Sequence, residues 1–358
     1  MEKKEIFKRT LILIFIMYIF LISINLLSGS FKLFGNGFAE ELVTLTTNPF
    51  VALFIGILAT VIVQSSSVTT SLAVGMAASG ILSLKLAIPL IIGANIGTTV
   101  TNTLVSLAHI RNKDEFKAAF AAATVHDFFN ILAVMVLLPL ELMFHILENS
   151  ALFITSLIFG TSVGTFNSPL VYVLKPVAKS IMAFLGNNPY IILPISMVLI
   201  YGSLTLFVKF IKPLAETEFK SVVNKHFFKN SSLSFIVGIF VTIMVQSSSL
   251  ATSMIVPLAA TGILSLRRIF PYTLGSNIGT TVTAFLAALA TTSQVALTVA
   301  LCHLLFNIYG IILIMPFREI PIKLANYMAH LSLKSKIYPL AYVSGFYFIL
   351  PLSIITVF

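Results

Sequence analysis

Apolar segments about as long as a membrane is thick recur along the whole chain and limit what it can fold into. The first runs from Leu11 to Leu27, and later ones include Phe116–Leu147 and Ile337–Phe358. Charged residues make up only 9% of the 358 residues, whereas about 25% is usual in a soluble domain. So few charges cannot cover a water-facing surface, and apolar segments of this length predict helices that cross a bilayer. We therefore expect an all-α membrane protein.

The N-terminal segment can be interpreted in two ways. Its first ten residues are basic, and the apolar run to Leu27 could be a cleaved signal peptide or a retained helix. No small-residue cleavage site is evident after Leu27, so we interpret it as a retained first span. The single cysteine, Cys302, lies within an apolar segment and excludes an intramolecular disulfide.

Lysines and arginines stand in short clusters between the apolar segments, and their distribution predicts an orientation. A net charge of +10 could suit nucleic acid, but basic clusters between spans are typical of loops that face the cytoplasm. With the N-terminus inside, 18 of the 22 Lys and Arg residues lie on the cytoplasmic side. The four on the outer side are Lys32, Lys85, Lys175 and Lys179. We expect a multi-pass protein of the cell membrane with a cytoplasmic N-terminus and no nucleic-acid partner.

An internal repeat divides the chain. The stretch 56–108 aligns with 238–290 without a gap, and more than half of the positions are identical. The predicted orientation inverts the second copy, and inverted repeats with broken helices are typical of secondary transporters. We expect a first repeat in 1–147, an external connecting region in 148–188 and a second repeat in 189–358. Two further pairs match at a slightly smaller offset, His126 with His303 and Asn130 with Asn307.

Each repeat interrupts an apolar segment with a Gln-Ser-Ser-Ser motif. Gln64–Ser67 divides the segment 49–80, and Gln246–Ser249 divides the segment 231–262. Broken backbone at membrane depth is tolerated only inside protein or beside water, so we interpret both segments as re-entrant hairpins. Serine is a good N-cap, and a helix N-terminus offers free N–H groups to an anion. Two such ends facing each other from opposite sides of the membrane would form a binding site for an oxyanion without lysine or arginine.

A Gly-Ala-Asn-Ile-Gly-Thr-Thr stretch (93–99) and its counterpart Gly-Ser-Asn-Ile-Gly-Thr-Thr (275–281) predict a second break in each repeat. Glycine permits unwinding, and the Asn and Thr side chains present oxygens. Glycine and small polar residues also serve close helix packing in membranes, which is the alternative for both motifs. We expect each repeat to contain a re-entrant hairpin and a broken transmembrane helix.

The polar groups available within the spans favour sodium as a second ligand. No Lys or Arg lies deep within a predicted span, so an anion there needs its charge neutralised by helix ends and bound cations. Amide, hydroxyl, carbonyl and carboxylate oxygens suit sodium rather than a transition metal. Asp127 is the acidic residue nearest the middle of a span, and such carboxylates are functional candidates; a local cap or a pair with His126 is its alternative. The candidate ligands from this reasoning are Gln64, Asn95, Asp127, Gln246 and Asn277.

These motifs resemble the type II sodium-phosphate cotransporter family. The likeness covers about residues 45–145 and 230–320 and includes 93–99, 124–130 and 275–281. It implies inward cotransport of inorganic phosphate driven by a sodium gradient. It also implies a phosphate site at the two serine motifs, formed by Ser65, Ser66, Ser67, Ser247, Ser248 and Ser249. The family's aspartate marks members that move net charge, and Asp127 occupies its position. The resemblance implies sodium ligands at Gln246, Ser247, Thr280, Thr283, Asn130 and Ser276.

The chain also departs from the larger members of that family. They have Gln and Asp where His109 and Asn112 stand here, which puts any cation ligand at those positions in doubt. Their long external loop and last helix are missing, so the chain resembles a compact bacterial member.

We expect a transporter and not an enzyme, with no cofactor beyond the coupling sodium ions. One alternative is a carrier of another oxyanion, such as sulfate or a dicarboxylate. A second is an intramembrane hydrolase that uses serine, His126 and Asp127, but adjacent residues on a helix point about 100° apart and form a poor relay. A third is a phosphate sensor, although no soluble signalling domain is evident. His126 and His303 could be ligands or hydrogen-bonded structural residues.

Overall fold

Helices account for nearly all of the chain that the computed structural model describes, namely residues 3–34, 48–159, 169–222, 228, 230–291 and 293–357, and these residues contain no β-strand. By length and composition, seven helical stretches within them could cross a membrane. They coincide with the seven predicted spans outside the hairpins, which confirms the all-α, multi-pass class. The stretches are Lys8–Phe34, Leu84–His109, Lys113–Phe144, Pro189–Lys212, Leu266–Ala290, Gln294–Phe317 and Ile337–Val357.

The helices follow one another with short connections. The first half contains α1 (Lys3–Phe34), α2 (Pro49–Val63), α3 (Ser66–Ser79), α4 (Leu84–Gly97), α5 (Val100–Ser106), α6 (Lys113–Phe144), α7 (Ile146–Phe159) and α8 (Pro169–Phe184). The second half contains α9 (Pro189–Val222), α10 (Ser231–Val245), α11 (Ser248–Ser253), α12 (Val256–Ala260), α13 (Leu266–Ala290), α14 (Gln294–Ile314), α15 (Glu319–Lys334), α16 (Ile337–Ser344) and α17 (Leu350–Val357). A π-helical turn, Gly345–Ile349, joins α16 to α17.

Both Gln-Ser-Ser-Ser motifs interrupt their helices as predicted. Gln64 ends α2 in the left-handed conformation with φ 57°, and Gln246 ends α10 in the same way with φ 53°. In the first motif the chain then doubles back, because the hydroxyl of Thr60 before the break lies 2.9 Å from that of Thr69 after it. The two motifs therefore form helix–break–helix units, and their depth in the membrane stays a prediction.

Equivalent positions of the two repeats have the same local structure. Asn48 and Asn230 both cap the first helix of the unit with their side chains. Gly80 and Gly262, which follow the helical segment after each Gln-Ser-Ser-Ser motif, both have positive φ, at 87° and 72°. These matches at positions that the sequence alignment pairs are consistent with two copies of one unit. Their inverted orientation remains a prediction.

The prediction of a second break in each repeat holds only for the first. There α4 ends at Gly97 and α5 begins at Val100, with Thr98 and Thr99 forming the turn between them. In the second repeat α13 runs without interruption from Leu266 to Ala290, so the predicted break at 275–281 is wrong.

Glycines in these helices serve close packing instead. Gly56 on α2 and Gly93 on α4 lie at the α2–α4 contact, and Gly238 and Gly275 occupy the equivalent positions on α10 and α13. Each places its missing side chain against the partner backbone, where a Cβ would overlap a carbonyl oxygen. Helices can approach this closely only where no side chain separates them. The carbonyls concerned are those of Leu90, Leu53, Tyr272 and Phe235, respectively.

Helices of the two repeats also pack on each other. α1 lies along α9, and α6 contacts α15. In addition, α14 of the second repeat contacts α7, most of which belongs to the connecting region. Within the predicted connecting region 148–188 the structure has most of α7 and all of α8, while 160–168 lie outside the described residues. Lys225 and Lys229 of the predicted cytoplasmic cluster also lie outside them.

We predict that Gly93→Ala and Gly275→Ala each destabilise the protein, because the new methyl group overlaps backbone that cannot move aside. Overpacking of this kind costs about 1–3 kcal/mol. The measurement is the Tm of the detergent-purified protein. Gly202→Ala is the matched control, since a Cβ at Gly202 meets nothing within 4 Å; its Tm should not fall. Equal melting of all three variants and the parent would disprove the packing role.

Candidate functional site

The two Gln-Ser-Ser-Ser motifs lie in direct contact although they belong to different halves of the sequence. The hydroxyl of Ser67 donates to the backbone carbonyl of Gln246 over 3.3 Å. The hydroxyl of Ser249 donates to the carbonyl of Thr98, also over 3.3 Å. Each motif therefore bonds to the opposite repeat, which is the arrangement that a shared oxyanion site requires.

The first serine of each motif caps the helix that follows. The Ser65 hydroxyl accepts the N–H of Val68 over 3.4 Å, and the Ser247 hydroxyl accepts the N–H of Leu250 over 3.2 Å. The backbone angles of the two caps are almost the same, with φ −155° and ψ 107° at Ser65 and φ −154° and ψ 109° at Ser247. The caps hold the first turns of α3 and α11 in the same geometry in both repeats.

The second serine of each motif keeps its hydroxyl available. Ser66 and Ser248 are buried, and within the described parts of the chain their side chains make no hydrogen bond. The third serines, Ser67 and Ser249, are engaged across the repeats as above. Among the six predicted serines, Ser66 and Ser248 are thus the pair best placed to accept a ligand.

The glutamine of each motif is fixed by a threonine of its own repeat. The Oε1 atom of Gln64 accepts a hydrogen bond from Thr101 over 2.9 Å, and that of Gln246 accepts one from Thr283 over 2.9 Å. The two glutamines differ in exposure: Gln64 is exposed, whereas Gln246 is only 6% exposed. The two motifs therefore make the same hydrogen bonds but differ in how much solvent reaches their glutamines.

A cluster of side-chain oxygens lies beside Gln246, in the second Gln-Ser-Ser-Ser motif. Ser276, Thr280 and Thr283 follow one face of α13 because they are spaced four and three residues apart. The hydroxyls of Thr242 and Ser276 lie 2.7 Å apart, and Thr283 donates to Gln246. In the first repeat Ala94 replaces Ser276, so only the second repeat has the full set. Four sodium ligands predicted from the resemblance therefore gather here, namely Gln246, Ser276, Thr280 and Thr283.

Buried asparagine and histidine side chains join the two repeats. Asn95 donates to the side-chain oxygen of Asn307 over 3.0 Å, and its own oxygen lies 3.0 Å from Nε2 of His303. In the equivalent arrangement Asn277 donates to Asn130 over 2.8 Å and its oxygen lies 2.5 Å from Nε2 of His126. The same bonds thus cross the interface twice.

This network uses amide oxygens that were candidate sodium ligands. The oxygens of Asn95, Asn130 and Asn277 each have a hydrogen-bond partner already, and the amide of Asn130 also donates to the backbone of Asn95. Their arrangement supports a bracing role between the repeats. As ligands these three residues stay candidates, and the structure brings them together around α4, α6 and α13.

The histidines do not form a catalytic relay with Asp127. A carbonyl oxygen can only accept a hydrogen bond, so His126 and His303 carry their proton on Nε2 when bonded to Asn277 and Asn95. Asp127 instead accepts a hydrogen bond from the hydroxyl of Tyr342 over 2.9 Å. The geometry predicted for an intramembrane hydrolase is therefore not formed by the residues that the structure describes.

Asp127 lies in a buried cluster of hydroxyl groups. Besides Tyr342, the hydroxyls of Thr99, Thr103 and Tyr347 surround its carboxyl group, and Thr99 lies 2.7 Å from Tyr347. The Oδ1 atom of Asp127 and the hydroxyl of Thr103 have no hydrogen-bond partner in the described structure. A carboxylate among hydroxyl oxygens is the type of ligand set that suits a hard cation.

Sequence reasoning did not find the partners of Asp127. Tyr342 and Tyr347 lie in the last span, far along the chain from Asp127; Tyr342 precedes the π-helical turn 345–349 and Tyr347 lies within it. A π-turn in a helix is frequent at functional sites, but its position could not be read from the sequence. Thr99 and Thr103 follow the first repeat's Asn-Ile-Gly motif.

His109 and Asn112, at the positions where the chain departs from the larger family members, form a helix cap. Asn112 caps α6 by accepting the N–H groups of Asp114 and Glu115. Its amide donates to the carboxylate of Glu115 over 2.8 Å, and His109 Nδ1 lies 3.1 Å from the same carboxylate. The two residues are thus engaged with the start of α6.

We predict that Asn95→Ala and Asn277→Ala destabilise the protein by similar amounts, since each leaves buried polar partners unpaired across the interface. An unpaired buried group costs about 1–3 kcal/mol. Asn326→Ala is the control, because its side chain bonds only to Ile322 of its own helix. Tm values of the purified variants report the effect. A Tm loss confined to Asn326→Ala would contradict the bracing role.

Comparison with known proteins identifies what the chain is similar to. A family model described as Na+/Pi-cotransporter matches residues 19–163 and 198–333. Sodium-dependent phosphate transport protein 2B of Homo sapiens is 33% identical, over 97% of this chain and 64% of the human protein. The 2B protein of Pongo abelii is also 33% identical, over 97% and 65%, and the 2A protein of Rattus norvegicus is 33% identical, over 94% and 65%.

This chain spans just under two thirds of the length of those relatives. No solved structure matches it at a significant level.

Proposed function

Because this chain belongs to the Na+/Pi-cotransporter family, we propose that it imports inorganic phosphate together with sodium by alternating access. The observation that carries the proposal is the contact of the two Gln-Ser-Ser-Ser motifs, one from each repeat. A site at the interface of two repeats can open to either side of a membrane when the repeats move relative to each other. The proposed setting is the cell membrane, with the N-terminus in the cytoplasm.

Phosphate would bind between the first turns of α3 and α11. The N–H groups of a first helical turn and the hydroxyls of Ser66 and Ser248 are neutral donors suited to an oxyanion. Ser65 and Ser247 hold those turns in place, and Ser67 and Ser249 hold the motifs together. The helices α3 and α11 contain no Lys or Arg, so the charge of phosphate would be balanced mainly by bound cations.

Sodium would bind at the oxygen cluster beside Gln246. Gln246, Ser247, Ser276, Thr280 and Thr283 supply amide, hydroxyl and backbone oxygens close to the phosphate site. A cation there lowers the cost of a buried anion, and the anion does the same for the cation, so their binding is coupled. Gln64 and Thr101 are the equivalent but less complete pair in the first repeat, with Ala94 in place of Ser276.

The second cation site would lie at Asp127. Its carboxylate adds a fixed negative charge to one repeat only, because Leu304 stands at the equivalent position. A further sodium ion bound there would make each cycle carry net positive charge.

The equivalent glutamines of the two motifs also differ, since Gln64 is exposed and Gln246 is buried. If the two repeats exchanged conformations during transport, this difference in exposure would be reversed.

We predict that Ser66→Leu and Ser248→Leu reduce sodium-driven uptake of labelled phosphate into proteoliposomes by at least tenfold, since a bulky apolar side chain fills the ligand position. Ser353→Leu, at an exposed position on α17, is the control and should transport like the parent. Size-exclusion profiles and Tm confirm that each variant folds. Phosphate uptake that is equal with sodium and potassium gradients in the parent would refute the function, and full competition by sulfate would indicate another oxyanion.

We also predict that Asp127→Asn uncouples charge from transport. Uptake should persist, while the charge moved per phosphate falls towards zero because the second cation loses its carboxylate. Tyr342→Phe is the matched control, since it removes one hydrogen bond and keeps the carboxylate; it should retain the parent's ratio. The measurement is current against labelled uptake in the same proteoliposomes. An unchanged ratio in Asp127→Asn would exclude the proposed cation site.

A further inference from the structure

Two carboxyl groups and one imidazole converge where α6 ends and α7 begins. Glu141 lies in the last turn of α6, His145 ends that helix, and Glu148 lies in the first turn of α7. One ligand atom from each of these side chains lies within 4.8 Å of the other two. We call these three residues the junction cluster. It shares no residue with the candidate phosphate and sodium sites, so it is a separate feature of the fold.

The tight connection between the two helices assembles the junction cluster. His145 adopts the left-handed conformation with φ 51°, and its N–H donates to the carbonyl of Glu141 over 2.9 Å. This turn ends α6, and α7 begins at the next residue. The change of direction brings Glu148 back to Glu141, because the N–H of Glu148 donates to the Glu141 carboxylate over 3.3 Å. On the predicted topology the cluster lies at the outer end of α6.

The carboxylate of Glu141 caps α7 and is held in a fixed orientation. Glu141 is only 4% exposed, and its two oxygens accept the N–H groups of Leu147 over 2.6 Å and of Glu148 over 3.3 Å. Each carboxylate oxygen has two lone pairs, so an oxygen that accepts one N–H can also bind a cation. Carboxylates that bind metals are commonly hydrogen-bonded in this way, which orients them. Capping and metal binding are therefore compatible at Glu141.

His145 and Glu148 form the accessible part of the junction cluster. Nδ1 of His145 lies 3.0 Å from Oε2 of Glu148, and their side chains are 53% and 23% exposed. Two ligand atoms on one tetrahedral zinc ion lie about 3.3 Å apart, so this pair is already close to the required spacing. Small movements of the two exposed side chains would bring them to the same distance from the Glu141 carboxylate. Their exposure also leaves room for a water molecule as the fourth ligand.

The types of ligand in the junction cluster favour zinc over the hard cations. An imidazole nitrogen suits zinc and similar transition metals, whereas sodium, magnesium and calcium bind mainly to oxygen. Calcium also takes about 6–8 ligands, while three protein ligands and one water complete the tetrahedral set of zinc. When both carboxyl groups are ionised, their two negative charges balance a divalent cation.

We propose that Glu141, His145 and Glu148 bind a divalent transition-metal cation, and that Zn²⁺ is the ion that fits them best. The bound ion would join the end of α6 to the start of α7. It would also support the contact of α7 with α14, where Sγ of Cys302 lies 3.7 Å from the carbonyl of Leu147. A ligand that binds only the native state stabilises it, so zinc should raise the Tm of the protein.

The test uses the full-length protein, purified in detergent, freed of any affinity tag and treated with a chelator. Binding of radiolabelled Zn²⁺ in the presence of excess Mg²⁺ is measured by equilibrium dialysis, and the Tm is measured with and without zinc. His145→Asn and Glu148→Gln each remove one ligand, and asparagine tolerates the left-handed conformation. His109→Asn is the matched control, since His109 pairs with Glu115 over 3.1 Å but no third His, Cys, Asp or Glu joins that pair in the described structure.

We expect the parent and His109→Asn to bind zinc with the same affinity, and each junction variant to bind it at least tenfold more weakly. Zinc should raise the Tm of the parent and the control but not that of the junction variants. If one junction variant does not fold, the other one decides. The proposal is overturned if the junction variants bind zinc like the parent, if His109→Asn weakens binding as much as they do, or if Mg²⁺ competes as well as unlabelled Zn²⁺. Phosphate uptake is not measured, so a failure of the proposed transport function would leave this result unchanged.

Discussion

The hydrogen bonds of four buried asparagines and two histidines join the two repeats next to the candidate site. Asn95 and Asn277 each bond to a histidine and an asparagine of the opposite repeat. In a buried environment an amide without a partner costs about 1–3 kcal/mol, so the helices that carry these residues cannot slide past each other freely. The serine motifs meet because the helices on either side of them are fixed in this way.

Local backbone geometry then prepares the motifs for a ligand. Gln64 and Gln246 adopt the left-handed conformation, which costs about 1–2 kcal/mol for a residue other than glycine. That cost is tolerated because the turn ends one helix and starts the next within two residues, so that the first N–H groups of α3 and α11 lie at the interface. The result is a site for an anion built from neutral donors, in which cations must complete the charge balance.

The charge balance of the candidate site depends on its ligands as well as on the protein. At the serine motifs the donors are neutral, and an oxyanion would bind well only together with sodium. Asp127 is the exception to the neutral groups, since its single carboxylate is surrounded by hydroxyls and has one oxygen without a partner in the described structure.

Short-range information in the sequence was sufficient for the fold class, the spans, the breaks at Gln64 and Gln246, and the pairing of equivalent positions. Segment length, hydropathy and helix caps depend on residues that are close together in the sequence. An internal repeat is found by aligning the sequence with itself. Tertiary structure alone decided which groups meet. The contact of Asp127 with Tyr342 and the contact of Asn95 with His303 join distant segments, and they depend on how helices dock. The same docking shows what the glycines do: Gly275 allows a neighbouring backbone to approach, as Gly93 does in the first repeat, whereas composition by itself suggested that glycine would unwind the helix.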